Sequence, residues 1–423
     1  MSPAGHLTPE EAERRLLSLE LFGMRFGLER MRRLMTALGH PERQFDSIHV
    51  VGTNGKSSTT RMIAAILAGH GLAVGAYLSP HLISYSERIR IGDRDLTPQE
   101  FAGAIERALH AAAVVDRRAS EDDRVTQFEL LTAAAYSELA RFGVEVAVIE
   151  AGLGGRYDAT NVIPSRVQVL TSVGLEHTRW LGPTVEAIAR EKLDVIQPGA
   201  TLVLGPDMHP DAVKVAEQVA GERGATIVRS GADCGLPTGV LEGYQRRNFA
   251  VARTAAEAFL GELDSGAVAA AAGDVRIPGR LQVVDENPLT LLDGAHNPDG
   301  MVALAQSLPE ITGGRPVVAV LSVLDDKDAA GMLRTLLPLC SALVLTSSHH
   351  PRALPPPTLL SLAGQLAGTA ELHAEVVRNP HAALSRAREL AGPDGVVVAT
   401  GSIYLIADLV ATGDPSRRRA SML

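Results

Sequence analysis

Ile48-His49-Val50-Val51-Gly52-Thr53-Asn54-Gly55-Lys56-Ser57-Ser58-Thr59 is the stretch that decides how this chain folds. The apolar run 48–51 reads as a strand, 52–55 as a tight loop, and Lys56 onward, through Met62-Ile63-Ala64-Ala65-Ile66-Leu67, as a helix. Glycines in such a loop let backbone N–H groups approach anionic oxygens. The helix start adds orphan donors and the positive end of its dipole, and Lys56 supplies a charge for β- and γ-phosphates. Thr53, Asn54, Gly55, Lys56, Ser57 and Ser58 are therefore the expected ATP-phosphate cradle. The strict pattern G-x-x-x-x-G-K-[ST] needs glycine where this chain has Val50, so the loop is a shortened relative. A plain Asn-Gly turn is the alternative, disfavoured by the adjoining Lys-Ser-Ser.

Outward from the loop, short β-rich runs at 73–78, 144–149 and 167–173 alternate with helical patterns at 102–115, 132–142 and 185–196. Alternation of this kind predicts a parallel sheet. Val144-Glu145-Val146-Ala147-Val148-Ile149 is mostly apolar rather than cleanly alternating, as expected of a strand covered by helices on both faces. A second series, with strands predicted at 290–292, 317–321, 342–345 and 396–399, comes after Pro278-Gly279-Arg280. That Pro-Gly pair succeeds an Ala-rich helical stretch at 248–272 and is the expected hinge. We expect two α/β domains, 1–279 and 280–423. Pro355-Pro356-Pro357 reads as a stiff loop, and 117–123 as a surface loop.

A chain of 423 residues exceeds what one core organises, and 46% hydrophobic with 21% charged residues suffices to fold it. The net charge of −9 offers no basic footprint for nucleic acid, and 4% aromatic residues provide few stacking platforms. Cys234 and Cys340 stand far apart, outside any C-x-x-C pattern, which argues against a disulfide framework and fits a reduced cytoplasm. The start, Met1-Ser2-Pro3-Ala4-Gly5-His6, lacks a signal-peptide pattern and no apolar run reaches membrane-spanning length, so no membrane partner is expected. Arg417-Arg418-Arg419 reads as a solvated end.

Ligands of open α/β sheets bind beyond the carboxyl ends of strands. Ser79-Pro80-His81 succeeds one strand, Glu150 ends another and opens Ala151-Gly152-Leu153-Gly154-Gly155-Arg156, and His177 comes after a third. ATP chemistry needs Mg²⁺, a hard cation that takes one or two carboxylates beside phosphate oxygens and water. Glu150 is the natural carboxylate. Ser79 alone reads as a turn residue, His177 alone as a poor ligand for a hard ion, and Lys192 alone as a solvated lysine.

Taken together, Gly52-Thr53-Asn54-Gly55-Lys56-Ser57, Ser79-Pro80-His81-Leu82, Glu87-Arg88-Ile89-Arg90-Ile91, Gly152-Leu153-Gly154-Gly155-Arg156-Tyr157-Asp158-Ala159-Thr160-Asn161 and Asp293-Gly294-Ala295-His296-Asn297-Pro298 closely resemble the folylpolyglutamate synthase/dihydrofolate synthase family. These are Mur-superfamily, ATP-dependent amide ligases. The resemblance runs in order from about Phe26 to Tyr404. It implies a P-loop ATPase domain followed by a smaller Rossmann-like glutamate ligase domain, with ATP between them. It also implies two Mg²⁺ ions, one held by Ser79 and Glu150, the other by Glu150, His177 and Lys192 once carbamylated.

By the same resemblance Asn248 contacts adenine, Arg280 and His296 reach phosphates, Asp293 contacts ribose, and Lys327 lies near the amino-acid and phosphoryl site. An exposed helix-cap lysine is the ordinary reading of Lys327. Thr126, Phe128, Asp158 and Ala159 match a dihydropteroate pocket, with Phe128 able to stack on the pterin, and Ser402 matches a glutamate contact. The implied catalytic residues are Lys56, Lys192, His296 and Lys327, and the implied partners are dihydropteroate or a reduced folate, and L-glutamate. A cytoplasmic monomer is expected. One rival is a Mur-type ligase of cell-wall precursors, but the residues before Gly52 are too few for the extra nucleotide-sugar domain those enzymes carry. The other is a nucleotide-gated regulatory protein that hydrolyses ATP without joining glutamate.

Overall fold

The computed structural model describes residues 7–19, 27–117, 119–120, 123–368 and 373–411. Phe26, Met1 to His6, parts of the 117–123 loop and Arg417-Arg418-Arg419 therefore lie outside the described residues. The chain divides into two units. One runs up to Pro237 and resumes over Arg247–Val275, and the other comprises Thr238–Arg246 and the residues from Arg276 onward.

The first unit contains, in chain order, α1 (Pro9–Leu17), α2 (Glu29–Ala37), β1 (Asp46–Val51), α3 (Lys56–Gly69), β2 (Val74–Tyr77), β3 (Ile89–Ile91), β4 (Arg94–Asp95), α4 (Pro98–Asp116) and α5 (Gln127–Arg141). It continues with β5 (Val146–Glu150), β6 (Val167–Leu170), α6 (Thr178–Leu181), α7 (Val185–Leu193), β7 (Thr201–Leu204), α8 (Pro210–Arg223) and β8 (Thr226–Arg229). α9 (Tyr244–Leu260) carries the unit boundary at Arg246, and α10 (Ser265–Asp274) comes next.

The eight strands run in the order β4-β3-β2-β5-β1-β6-β7-β8. β2 to β8 pair in parallel through β5, β1, β6 and β7, while β3 and β4 close one edge antiparallel. β2, β5 and β6 are buried at every residue, which is why they lack the alternation of a half-exposed strand. Met31, Leu34, Phe101, Ile105, Tyr136 and Ile149 belong to one apolar layer, and Leu170, Leu193, Ile196, Leu204 and Val215 to another. Each such side chain contributes about 1.5–3 kcal/mol by leaving water. Register then sets the site, because Val50 pairs with Glu150 and Val51 with Leu170. β1, β5 and β6 end level, so the loops leaving them emerge at one edge of the sheet.

The second unit contains β9 (Gln282–Glu286), β10 (Leu289–Leu292), α11 (Pro298–Thr312), β11 (Val317–Leu321), α12 (Ala329–Leu336), β12 (Cys340–Leu345), α13 (Pro356–Ala367), β13 (Ala374–Val376), α14 (Pro380–Ala391), β14 (Val396–Thr400) and α15 (Ile403–Val410). Its sheet order is β13-β12-β11-β14-β10-β9, with only β9 antiparallel.

Three local expectations are corrected. Pro356 and Pro357 begin α13 rather than a loop, since a proline's missing N–H is an orphan in the first turn anyway and its φ is preset for a helix. The stretch 248–272 is two helices. Gly261, at φ 90°, terminates α9, and the Asp264 side chain, accepting from Ala267 N–H, starts α10. The strand expected at 167–173 stops at Leu170, because Thr171 and Ser172 turn to hold the phosphate-loop backbone.

Candidate functional site

α3 begins at Lys56 behind Gly55, whose φ of 83° favours glycine and whose absent Cβ would meet Asn248 Oδ1 at 2.7 Å. Gly52 lies against Thr171 Oγ1 so closely that no side chain fits. The loop is gripped from β6. Thr171 Oγ1 donates to the Asn54 carbonyl at 2.7 Å, Asn54 N–H donates to Ser172 Oγ at 2.9 Å, and Gly174 N–H to Thr53 Oγ1 at 3.0 Å. Sequence reasoning missed Thr171 and Ser172. The rule that pointed to His177 should have stopped first at these two hydroxyls, which come after the same strand.

Two lysines meet on this loop. Lys56 Nζ donates to the carbonyls of Gly52 (3.0 Å) and Thr53 (3.2 Å), and Lys192 Nζ to Gly52 at 2.9 Å. Lys192 is 4% exposed; burial, then the Lys56 charge, pull its pKa down to about 7. The amine is thus held near neutrality, the state in which a lysine can act as a nucleophile or add CO₂. Ser58, beside Ser57 in the first turn, is buried.

Glu150, buried at the end of β5, accepts from Ser57 Oγ at 2.8 Å and from Ser79 N–H at 3.0 Å. The Glu150 carboxylate and the Ser57 hydroxyl at the foot of a phosphate loop are hard oxygen donors, with Ser79 held beside them through its N–H. They fit Mg²⁺, which takes few protein ligands and fills the rest with phosphate and water. His177 stands at the N-terminal boundary of α6 at φ 53°, without a side-chain cap bond, and is 40% exposed with Nε2 4.0 Å from Glu176 Oε1. Among the described residues, no group of three or more His, Cys, Asp or Glu side chains is arranged to hold a metal.

The glycine-rich loop after β5 packs against the start of α5. Thr126 caps α5 in a reciprocal box with Glu129, and Glu129 takes Arg30 Nε on both oxygens at 3.1 Å. Phe128 rests on Gly152, where a Cβ would meet its Cζ at 2.6 Å, and lies 6.3 Å from the Tyr77 ring. Asp158 is buried with Ala159 and holds the loop from within, accepting from Leu153 N–H (2.8 Å) and Thr160 N–H (3.0 Å) and from Thr160 Oγ1. Burial raises its pKa and these hydrogen bonds partly restore it. His49, pulled by burial down to about 3, is neutral, and its Nε2 lies 2.9 Å from Thr160 Oγ1. Since that hydroxyl gives its proton to Asp158, the imidazole is the donor to it.

In the second unit Asp293, His296 and Ser402 stand just past strand ends. Asp293, after β10, is buried and accepts from Leu281 N–H and Ala295 N–H, each at 2.9 Å. Arg280 crosses the open face of Gly294, and His296 Nδ1 lies 2.8 Å from the Gly294 carbonyl. Lys327 is not the exposed cap its sequence suggested; its side chain is 12% exposed, 4.0 Å from Asp326, just before the true cap Asp328. Ser402, after β14, is buried and caps α15.

Residues 279–403 match the family described as Mur ligase, glutamate ligase domain. The chain is 33% identical over 424 residues to the dihydrofolate synthase/folylpolyglutamate synthase of Bacillus subtilis, covering 92% of this chain and 95% of that one. In three dimensions it resembles Escherichia coli FolC in complex with DHPP and ADP, with a TM-score of 0.84 and 28% identity over 96% and 98% of the two chains. It also resembles the bifunctional folylpolyglutamate synthase/dihydrofolate synthase of Yersinia pestis complexed with AMPPNP and Mn ion, with a TM-score of 0.83 and 30% identity over 97% and 98%.

Proposed function

This chain belongs to the folylpolyglutamate synthase/dihydrofolate synthase family, and from that premise we propose how its residues divide the work of an ATP-dependent acid–amino-acid ligase. It joins L-glutamate to folate-type acceptors and uses ATP with a divalent metal. The finer reading is that it accepts both dihydropteroate and a reduced folate with a glutamyl tail. It works in the cytoplasm as a monomer, in keeping with its two separated cysteines.

A carboxylate and an amine do not condense in water until a carboxylate oxygen becomes a leaving group. The acceptor carboxylate attacks the γ-phosphorus of ATP; the bond to the β-bridging oxygen breaks, giving an acyl phosphate and ADP. The glutamate α-amine then attacks the acyl carbon, the carbon–oxygen bond breaks, phosphate leaves with the electron pair, and the amine proton passes to solvent. Both steps rest on alignment and charge neutralisation.

The observation that carries this reading is the pairing of Lys56 and Lys192 on the Gly52 carbonyl beside the Ser57–Glu150–Ser79 set. Thr53, Asn54, Gly55, Ser57 and Ser58 present loop and helix-start groups to the phosphates. Lys56 leaves its loop carbonyls to neutralise the γ-phosphate. Ser79 and Glu150 are the residues that would hold Mg²⁺, which screens phosphate charge when bound. A second ion would use Glu150, His177 and carbamylated Lys192. Asn248 is assigned to adenine, Asp293 to ribose, Arg280 and His296 to phosphates, Lys327 to the phosphoryl and amino-acid region, and Ser402 to glutamate. Thr126, Phe128, Asp158 and Ala159 serve the pterin, with Phe128 offering its ring for stacking.

The test incubates the protein with ATP, Mg²⁺, labelled glutamate and either dihydropteroate or tetrahydrofolate, and monitors ADP, phosphate and labelled product. Glutamyl product from both acceptors is expected; product from one alone ends the dual-acceptor reading, and product from neither ends the ligase reading.

A further inference from the structure

Within the second unit, we infer that Tyr244, at the start of α9, is a positioning residue for the nucleotide-side groups Asp293 and Arg280. The inference rests on the assignment of those two residues to ATP. Nothing in the loop motifs pointed to this tyrosine.

The Asp293 carboxylate has about four lone-pair sites. Oδ2 accepts from the Tyr244 hydroxyl and from Leu281 N–H, and Oδ1 accepts from Ala295 N–H, so among the described residues three are used and one remains, on Oδ1. With 1% of the residue exposed, the carboxylate cannot turn to offer another. Its geometry is therefore set by those three donors, and Tyr244 is the only side chain among them. Burial, then the Asp293 charge, push the Tyr244 pKa well up, keeping the phenol a proton donor.

The same contact reaches Arg280. Leu281 sits at φ 48°, a left-handed conformation that a leucine adopts only where its surroundings impose it. In that conformation the Leu281 N–H donates to Asp293 Oδ2, the oxygen that Tyr244 also holds. Arg280, one residue earlier, is thereby aimed across Gly294, where any Cβ would strike its guanidinium, and Gly294 N–H closes the turn on the Gly279 carbonyl at 2.8 Å. Tyr244 is itself anchored. Its N–H donates to Ser307 Oγ at 3.0 Å, and Gly243, at φ 52°, lies against Ser307 too tightly for a side chain. Tyr244, tied to α11 through its backbone, thus holds a carboxylate, which holds the backbone next to the arginine.

The test is Tyr244→Phe in the full chain, which keeps the ring and removes only the hydroxyl. Its control is Thr346→Val, which removes another buried hydroxyl bond of the second unit, to the Arg378 carbonyl at 3.0 Å, away from these residues. Mg-ADP affinity by calorimetry and KM for ATP are measured with kcat and melting temperature. Tyr244→Phe is expected to weaken ADP binding and raise KM for ATP about tenfold, as for loss of one charge-assisted bond, with kcat at saturating ATP within about twofold and KM for glutamate unchanged. Thr346→Val is expected to lower the melting temperature without moving either nucleotide constant. Wild-type ADP affinity in Tyr244→Phe, or an equal loss in Thr346→Val, overturns the inference. A wild type that binds ADP but joins no glutamate overturns the ligase reading alone, and the ADP affinities still decide this one; a wild type that binds no ADP overturns both.

Discussion

Lys192→Met should yield a protein that is more stable near neutral pH and inactive. The wild-type amine is buried against the Gly52 carbonyl with Lys56 nearby, and its pKa falls from 10.5 to about 7. Between those values the unfolded chain keeps the proton that the folded one has given up, so the unfolded state binds more protons and wild-type stability rises with pH across the window. At about 1.4 kcal/mol per unit, the penalty is roughly 5 kcal/mol below pH 7, about 3 at pH 8, and gone near pH 10.5. Methionine fills similar space without charge and forfeits one hydrogen bond worth about 1 kcal/mol. Its advantage should then be roughly 2 kcal/mol at pH 8 and about 1 at pH 9. Urea unfolding in CO₂-free buffer, monitored by the fluorescence of Trp180, the single tryptophan and a member of the same unit, measures this. A stability difference that stays flat from pH 7 to 9, or a methionine variant less stable than wild type at pH 7, would refute the reasoning.

Two further outcomes concern the first unit. Glu150→Gln can keep two of its contacts, with the amide oxygen on Ser79 N–H and the amide nitrogen donating to Ser57 Oγ, so stability should change by less than about 1 kcal/mol. Ligation should nonetheless fall by about 10²-fold or more, and a variant with wild-type turnover would remove Glu150 from the metal's ligands. Gly152→Ala drives a methyl into the Phe128 ring, contacted at 2.6 Å. KM for the pteroyl acceptor should rise about tenfold with KM for ATP unchanged; an unchanged acceptor KM would take Phe128 out of the pterin pocket.

The phosphate loop was legible because its function is written in local chemistry: glycines where a backbone must bend and approach, a lysine and serines where a helix begins. Glu150 was legible for a similar reason, an acid at the end of an apolar strand. The strands β3, β4, β7, β8, β9 and β13 were not, being short or partly exposed and so without a long apolar run. Pro356 misled because a proline that stiffens a loop and one that opens a helix carry the same φ.

The sequence by itself determined the α/β class, the shortened phosphate loop and the family, since strand apolarity, turn glycines and ordered motifs are properties of neighbouring residues. Only the tertiary structure decided that Thr171 and Ser172 hold the loop, that Lys192 shares the Gly52 carbonyl with Lys56, and that Tyr244 holds Asp293. Those contacts join residues separated by up to 140 positions, and the grip of Thr171 and Ser172 on the loop arises because parallel register ends β1 and β6 at one level. Burial then shifts a lysine's proton affinity, an effect that depends on what surrounds the amine and not on the residues beside it in the chain.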